Sequence, residues 1–307
     1  MQAASVVFEQ VVMLVLFAGI GYALCKTKLA DSKFSKLLST LEIYVFLPAN
    51  FIKTYSNQFT VSYCKNGYPI ILASLAILVV VIAIAGVLSR LLAPKGYLRA
   101  VYNYSLVVPN YGYMGYALAG AVFGELVLQN VMLFALPLTI YIYTVGYNSL
   151  IKSGKMSLKK LLNPVLISIA IGAVLGLTGI GKKLPTVVTE VVNKSAACMS
   201  PISMILAGMV LAEFKFSTLL KRPSNYAVTV LRLVVLPIAI AGVLKLLGLG
   251  LEQIIIPSLM IYAMPCGMNT IVFPRLVGED CEPGAALALI STVACCVTLP
   301  LCVLLFA

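Results

Sequence analysis

The sequence predicts an all-α membrane protein of ten transmembrane helices in two inverted five-helix repeats, with helices four and nine broken and crossing at the midplane. Three observations predict this fold class. The chain of 307 residues is 61% hydrophobic and only 10% charged, and apolar runs of about 20 residues recur along its length. Basic residues cluster in every second connection between these runs. Two of the runs are interrupted midway by proline, asparagine and glycine.

The apolar runs set the positions of the predicted spans, because about 20 helical residues cross the hydrocarbon core of a bilayer. The first run contains Glu9 and has no basic residue before it, which favours a retained helix over a cleaved signal peptide. The ten predicted spans are residues 5–25, 36–56, 68–92, 99–123, 127–150, 161–179, 187–212, 224–248, 252–274 and 284–306.

The basic residues predict the orientation of the chain in the membrane. The odd-numbered connections between spans hold more than twice as many Lys and Arg residues as the even-numbered ones. Since basic loops face the cytoplasm, both termini are predicted to be extracytoplasmic. Topology therefore explains the net charge of +12, and we expect no nucleic-acid partner.

The chain divides into two halves of five predicted spans. Residues 1–151 form the first repeat, residues 152–160 a cytoplasmic connecting loop, and residues 161–307 the second repeat. Because five is odd, the second repeat enters the membrane in the opposite orientation. The prolines agree with this division: Pro48 and Pro109 lie in the second and fourth spans of the first half, and Pro201 and Pro265 lie in the corresponding spans of the second.

The two interrupted spans place their breaks deep in the bilayer. Pro109 lies about ten residues from Arg99, and Pro265 lies about ten residues from Arg275. At 1.5 Å per residue this distance is about 15 Å, or half of a hydrocarbon core of about 30 Å. A lipid environment offers no water to free backbone groups, so such breaks survive only within protein or beside a watery cavity.

A half-helix begins after each break, and its free amides and dipole favour an anionic ligand. Asn110 and Asn269 add uncharged hydrogen-bonding groups, and Tyr113 shares roughly the helix face of Asn110. Two alternatives stay open at this point: kinked helices packed through small residues, and core packing for Tyr113. The predicted substrate-binding residues are Pro109, Asn110, Gly112, Tyr113, Pro265, Gly267, Asn269 and Thr270.

Two charged residues lie inside predicted spans, where charge is costly. Glu42 precedes Pro48, and Arg232 precedes Pro237. We expect both to be structural residues that are paired or that extend toward the interface. The sequence has no histidine and no C-x-x-C pair among its eight cysteines, so we expect no metal site and no cofactor.

Three segments resemble the auxin efflux carrier family, which includes bacterial malate and malonate permease-like proteins. They are residues 46–48 (FLP), 110–115 (NYGYMG) and 264–269 (MPCGMN), and the similarity spans nearly the whole chain. The resemblance implies ten helices in two inverted repeats, with helices four and nine crossing at their prolines. It also implies that Pro109, Asn110, Pro265 and Asn269 line the site.

The resemblance further implies an elevator-like carrier of small organic anions in the cytoplasmic membrane, often a homodimer. Spans 1, 2, 6 and 7 would form the scaffold, and spans 3–5 and 8–10 would move. The chain lacks the long central loop of many plant members, which favours a bacterial-type permease. Two alternatives remain open: a cation-coupled carrier similar to bile acid symporters, and a non-transporting membrane sensor that uses the same pocket.

Overall fold

The computed structural model describes residues 2–151 and 164–306, and every regular element in these two ranges is helical. The predicted connecting loop at 152–160 lies outside the described residues. In the first range the helices are α1 (Gln2–Lys26), α2 (32–58), α3 (Val61–Leu92), α4 (Tyr97–Val107), α5 (111–123) and α6 (125–150). In the second range they are α7 (Pro164–Thr178), α8 (Thr186–Glu213), α9 (223–246), α10 (251–262), α11 (Asn269–Leu276) and α12 (Glu282–Phe306).

Local sequence explains several helix boundaries. The Asp31 carboxylate caps α2 by accepting a hydrogen bond of 2.8 Å from the backbone amide of Lys33. The Thr60 hydroxyl caps α3 in the same way. Gly124 separates α5 from α6 because its φ of 81° lies in the left-handed region that favours glycine. Short helical turns at Ile180–Lys183 and Phe216–Leu219 connect α7 to α8 and α8 to α9.

Several of the helices contain a π-helical turn. Such turns are rare in proteins as a whole, and those that occur are often at functional sites. The π-helical turns of the described residues are Glu42–Phe46 in α2, Tyr111–Gly115 in α5, Ile142–Gly146 in α6, Leu231–Val235 in α9 and Leu251–Ile255 in α10. The first three of these helices contribute to the cavity described below.

Helical structure covers each of the ten predicted segments within the described residues, but the helices differ in length and apolarity. Predicted span two forms the long but more polar helix α2, span six forms the short helix α7 of 15 residues, and spans four and nine are broken. Six helices of the described residues are long and apolar enough to cross a membrane: Phe8–Lys26, Val61–Leu92, Val122–Leu150, Thr186–Glu213, Pro223–Leu246 and Glu282–Cys302.

One group of helices is packed through very close backbone contacts. α1 packs along α8, and α2 packs along α7 and α8. A Cβ atom added at Gly21 would lie 1.9 Å from the carbonyl oxygen of Ile205, and one added at Gly208 would lie 1.8 Å from that of Ala18. Glycine at these positions lets α1 and α8 meet backbone to backbone. A second set of contacts joins α3 to α4, α5 and α6, and α10 to the helices after the first break.

Candidate functional site

The two helix breaks meet and pair with each other. The backbone N–H of Asn110 donates a hydrogen bond of 2.8 Å to the carbonyl oxygen of Pro265, and the N–H of Gly267 donates one of 3.1 Å to that of Val108. Together they form an isolated antiparallel bridge between Pro109 and Cys266. The breaks between α4 and α5 and between α10 and α11 therefore cross in antiparallel fashion. We call the two breaks, residues 108–110 and 263–268, the crossover.

The residue types at the crossover explain this local structure. Proline has no amide hydrogen and its ring crowds the preceding turn, which favours the end of α4 before Pro109 and of α10 before Pro265. Val108 then adopts an extended conformation, which exposes its carbonyl group to the other break. A Cβ atom added at Gly267 would lie only 3.1 Å from that carbonyl oxygen. Glycine is thus what allows the two backbones to come within hydrogen-bonding distance.

A small cavity lies at the crossover. It encloses about 20 Å³ of free space, enough for one or two water molecules. Its opposite wall comes from α2, α6 and α8 and includes Asn50, Phe51, Tyr143 and Met199. Six of the predicted site residues line it: Pro109, Asn110, Gly112, Tyr113, Gly267 and Asn269.

The two asparagines are buried and incompletely hydrogen-bonded. Asn110 is 2% exposed and Asn269 is 5% exposed, and the side-chain oxygen of each has no hydrogen-bond partner. The Asn269 amide nitrogen donates to the phenol of Tyr104 at 3.1 Å. Buried polar groups are nearly always paired in folded proteins, so two unpaired side-chain oxygens at one cavity indicate a place where a ligand or water completes the hydrogen bonding. None of the acidic residues in the two described ranges lines this cavity.

The two halves of the chain match one family of proteins. A family model described as a membrane transport protein matches residues 6–159 and, separately, residues 150–303. The chain belongs to this family. The resemblance to the auxin efflux carriers is thereby confirmed, and the protein is a multi-pass membrane transporter and not an enzyme. No curated protein matched the chain.

In this transporter, two of the predicted site residues do not line the cavity. Thr270 is fully buried, and its hydroxyl donates a hydrogen bond of 2.9 Å to the carbonyl oxygen of Gly267, in the turn that starts α11. Pro265 acts through its backbone carbonyl, which accepts from Asn110. Both residues therefore shape the crossover, and their side chains take no direct part in the cavity wall.

The side chain of Arg232 contacts the crossover and the helix ends next to it, which its position in the sequence did not indicate. It is fully buried, and its guanidinium donates to the carbonyl oxygens of Leu106 at 2.9 Å, Met264 at 3.3 Å and Ile261 at 3.4 Å. These carbonyls are at or just beyond the C-terminal ends of α4 and α10, where helices leave acceptors unpaired and carry partial negative charge. Arg232 therefore ties together the two helices that precede the breaks, and the expectation of a structural role agrees with these contacts.

Three further hydrogen bonds involving side chains hold the crossover and the start of α5 in place. Ser291 of α12 accepts a hydrogen bond of 3.0 Å from the amide of Cys266, and Ser200 of α8 donates one of 2.8 Å to the carbonyl oxygen of Tyr113. The phenol of Tyr111 pairs with the hydroxyl of Thr139 at 2.6 Å. Isolated serines in apolar helices are common, so the sequence carried no signal for the first two contacts.

The structure also holds a larger cavity and a set of free thiols, and neither contains a predicted site residue, although the thiol of Cys266 belongs to the bridge. The larger cavity, of about 510 Å³, lies between α3, α6 and α10 and includes Asn66, Gln129 and Gln253. All eight cysteines are free. Within the two described ranges, no cluster of three His, Cys, Asp or Glu residues could hold a metal ion.

Proposed function

We propose that this protein is a secondary transporter that moves a small organic anion, a carboxylate, across the cytoplasmic membrane by an elevator-type mechanism. The observation that carries the proposal is the crossover itself. Two half-helices, α5 and α11, begin there, one on each side of the bridge between Pro109 and Cys266. Discontinuous helices whose N-termini point at the substrate are characteristic of binding sites in transporters with repeated halves.

The charge and hydrogen-bonding character of the site favours an anion. The first residues of α5 and α11 lie at the positive ends of their helix dipoles, which favours a negative charge there. Arg232 adds a buried positive charge next to the crossover, and none of the three ion pairs of the described residues includes it. The cavity wall carries no carboxylate that would repel an anion. The amides of Asn110 and Asn269 can donate hydrogen bonds to a carboxylate without adding a charge to the empty site.

Ten crossings in two inverted repeats explain the family matches. The same family model fits each half, and each half contains one proline break in its fourth predicted span. The basic connections support a topology with both termini outside the cell and the loop at 152–160 in the cytoplasm. We also propose a homodimer, following the family resemblance.

The size of the cavity supports a moving site. A space for one or two waters is too small for a carboxylic acid of several carbon atoms, so the walls must separate when substrate binds. Two of the helices that form these walls, α2 and α8, pack closely with α1 and α7. The helices that carry the breaks pack instead against α3, or, for α10, against the helices after the first break. Sliding of the crossover helices against the α1, α2, α7 and α8 scaffold would open the site to one side at a time.

Proteoliposomes containing the purified full-length chain test this function. We expect saturable uptake of at least one small carboxylate from a panel, with competition by other carboxylates and none by the matched neutral amides. Carboxylate binding without uptake would instead identify a sensor. Uptake that requires sodium at every pH would identify a symporter similar to the bile acid carriers. Equal uptake of the neutral amides would contradict an anion site.

A further inference from the structure

One acidic side chain lies within the helical bundle next to the crossover. Glu42 begins the π-helical turn Glu42–Phe46 of α2 and is fully buried. α7 and α8 pack against this turn, and Tyr113 of α5 approaches the carboxyl from the crossover. The carboxyl therefore lies where the α1, α2, α7 and α8 scaffold contacts the helices that we propose to move.

The Glu42 carboxyl lacks a partner. Neither of its oxygens accepts a hydrogen bond of normal geometry. The hydroxyls of Tyr113 and Ser203 lie beside it, and neither of them makes a hydrogen bond of normal geometry. The ion pairs of the described residues do not include Glu42. Among the acidic residues whose side-chain burial the structure describes, Glu42 alone is buried.

The surrounding elements supply no positive charge to compensate a carboxylate. α7 has no titratable residue, and the titratable residues of α8, which are Glu190, Lys194, Cys198 and Glu213, are exposed. On α2 itself, Tyr44 is exposed. The titratable groups that face Glu42 are the phenols of Tyr113 and Tyr143, and a phenol is neutral at physiological pH. An uncompensated buried carboxylate is strongly disfavoured, and such a group takes up a proton instead.

We propose that Glu42 is a proton-binding site that couples anion transport to the movement of protons. This inference rests on the proposed transport function and names its coupling ion. In the closed arrangement described here, the carboxyl holds a proton among Tyr113, Ser203 and apolar neighbours. When the crossover helices slide along the scaffold, Tyr113 leaves and water reaches Glu42.

The chemical step is a proton transfer. The O–H bond of the carboxyl breaks, the proton passes to a water molecule on the open side, and the carboxylate is stabilised by hydration. Return to the closed arrangement requires that the carboxylate first take a proton from water, because a dry, unpaired carboxylate opposes closure. A bound anion disfavours a second negative charge nearby, so the loaded carrier takes up this proton more readily than the empty one. Anion and proton therefore cross together, and the proton is released to water on the other side.

Infrared spectroscopy of the full-length protein tests the proton site without any substrate. We expect a protonated-carboxyl band at neutral pH that is absent from Glu42→Gln and retained in Glu190→Gln, its matched control at an exposed position on α8. Ser203→Ala alters a neighbour of the carboxyl and should change the pH at which the band disappears, which keeps the test open if Glu42→Gln does not fold. A band unchanged in Glu42→Gln, or no band in the folded wild type, would overturn the proton site.

Flux in proteoliposomes tests the coupling. A gradient of one pH unit should drive about tenfold accumulation of the transported carboxylate per coupled proton in the wild type and in Glu190→Gln. Glu42→Gln, which resembles the protonated form, should still exchange substrate for substrate at equilibrium but should not respond to the gradient. Gradient-driven accumulation by Glu42→Gln would overturn the coupling even if the infrared band is present. Absence of carboxylate flux in the wild type would contradict the transport function, and the infrared result would then decide the proton site alone.

Discussion

The backbone amide of Asn110 donates a hydrogen bond of 2.8 Å to the carbonyl oxygen of Pro265, on the other half of the chain. This bond joins the two helix breaks and points the starts of α5 and α11 at one cavity. If α10 continued into α11, the Pro265 carbonyl would be paired within the helix. If α4 continued into α5, the Asn110 amide would be paired in the same way. The prolines therefore do more than bend the helices: each break supplies the backbone group that the other one lacks.

The first prediction concerns Pro109. Pro109→Ala restores an amide donor and removes the ring that stops α4, so the helix should continue toward α5 and the bridge to Cys266 should be lost. We expect expression close to that of the wild type and severe loss of transport, measured as carboxylate uptake per milligram of reconstituted protein. Pro69→Ala, within the first third of α3 and away from the crossover, is the matched control and should keep its transport. Normal uptake by Pro109→Ala would show that the break is dispensable.

Arg232 should be essential for the stability of the crossover. Arg232→Met removes the side-chain donor from the carbonyl oxygens of Leu106 and Met264, and each unpaired acceptor costs about 1–3 kcal/mol when buried, whereas the Ile261 carbonyl keeps the Met264 amide as a donor. We expect a lower unfolding temperature in detergent, and we expect no rescue by Arg232→Lys, because an ammonium group cannot reproduce the guanidinium fork that contacts three acceptors.

Arg90→Met, at an exposed position near the end of α3, is the control for the loss of a positive charge and should unfold at the wild-type temperature. If Arg232→Lys were as stable as the wild type, the geometry of the guanidinium would have no special role.

Topology follows from the basic connections and has its own test. A cysteine placed at Ser153, in a background whose exposed native thiols are replaced, should react with a membrane-impermeant maleimide only after the cells are opened. A cysteine at Thr186, the first residue of α8, should react in intact cells. Labelling in the reverse pattern would invert the proposed orientation.

The sequence allowed the helical architecture and the crossing of the two breaks to be predicted, because both depend on strong local signals. Proline with asparagine and glycine close behind it in an apolar run favours a break in the helix. The repetition of this pattern in the second half of the chain identified the pair of breaks. Six of the eight predicted site residues line the cavity. Thr270 does not, because its hydroxyl caps the turn at Gly267, a choice that depends on side-chain rotation and not on sequence position.

Interactions between distant segments could not be predicted. Arg232 and Glu42 each stood out as a charge in an apolar span, and both were expected to be structural. The structure separates them: Arg232 finds three carbonyl acceptors at the helix ends, whereas Glu42 finds none. Which helix faces each residue depends on the packing of α2, α8 and α9 against the crossover. A single sequence does not show which helices pack around these two residues.

The measurement that tests the central claim most directly is carboxylate affinity in Asn110→Ala and Asn269→Ala. Loss of one hydrogen bond to a charged ligand costs about 1.5–3 kcal/mol, so each folded variant should bind about 10- to 150-fold more weakly than the wild type. Asn66→Ala, in the larger cavity, is the matched control and should bind with wild-type affinity. Wild-type affinity in both crossover variants would contradict the account and would place the anion elsewhere.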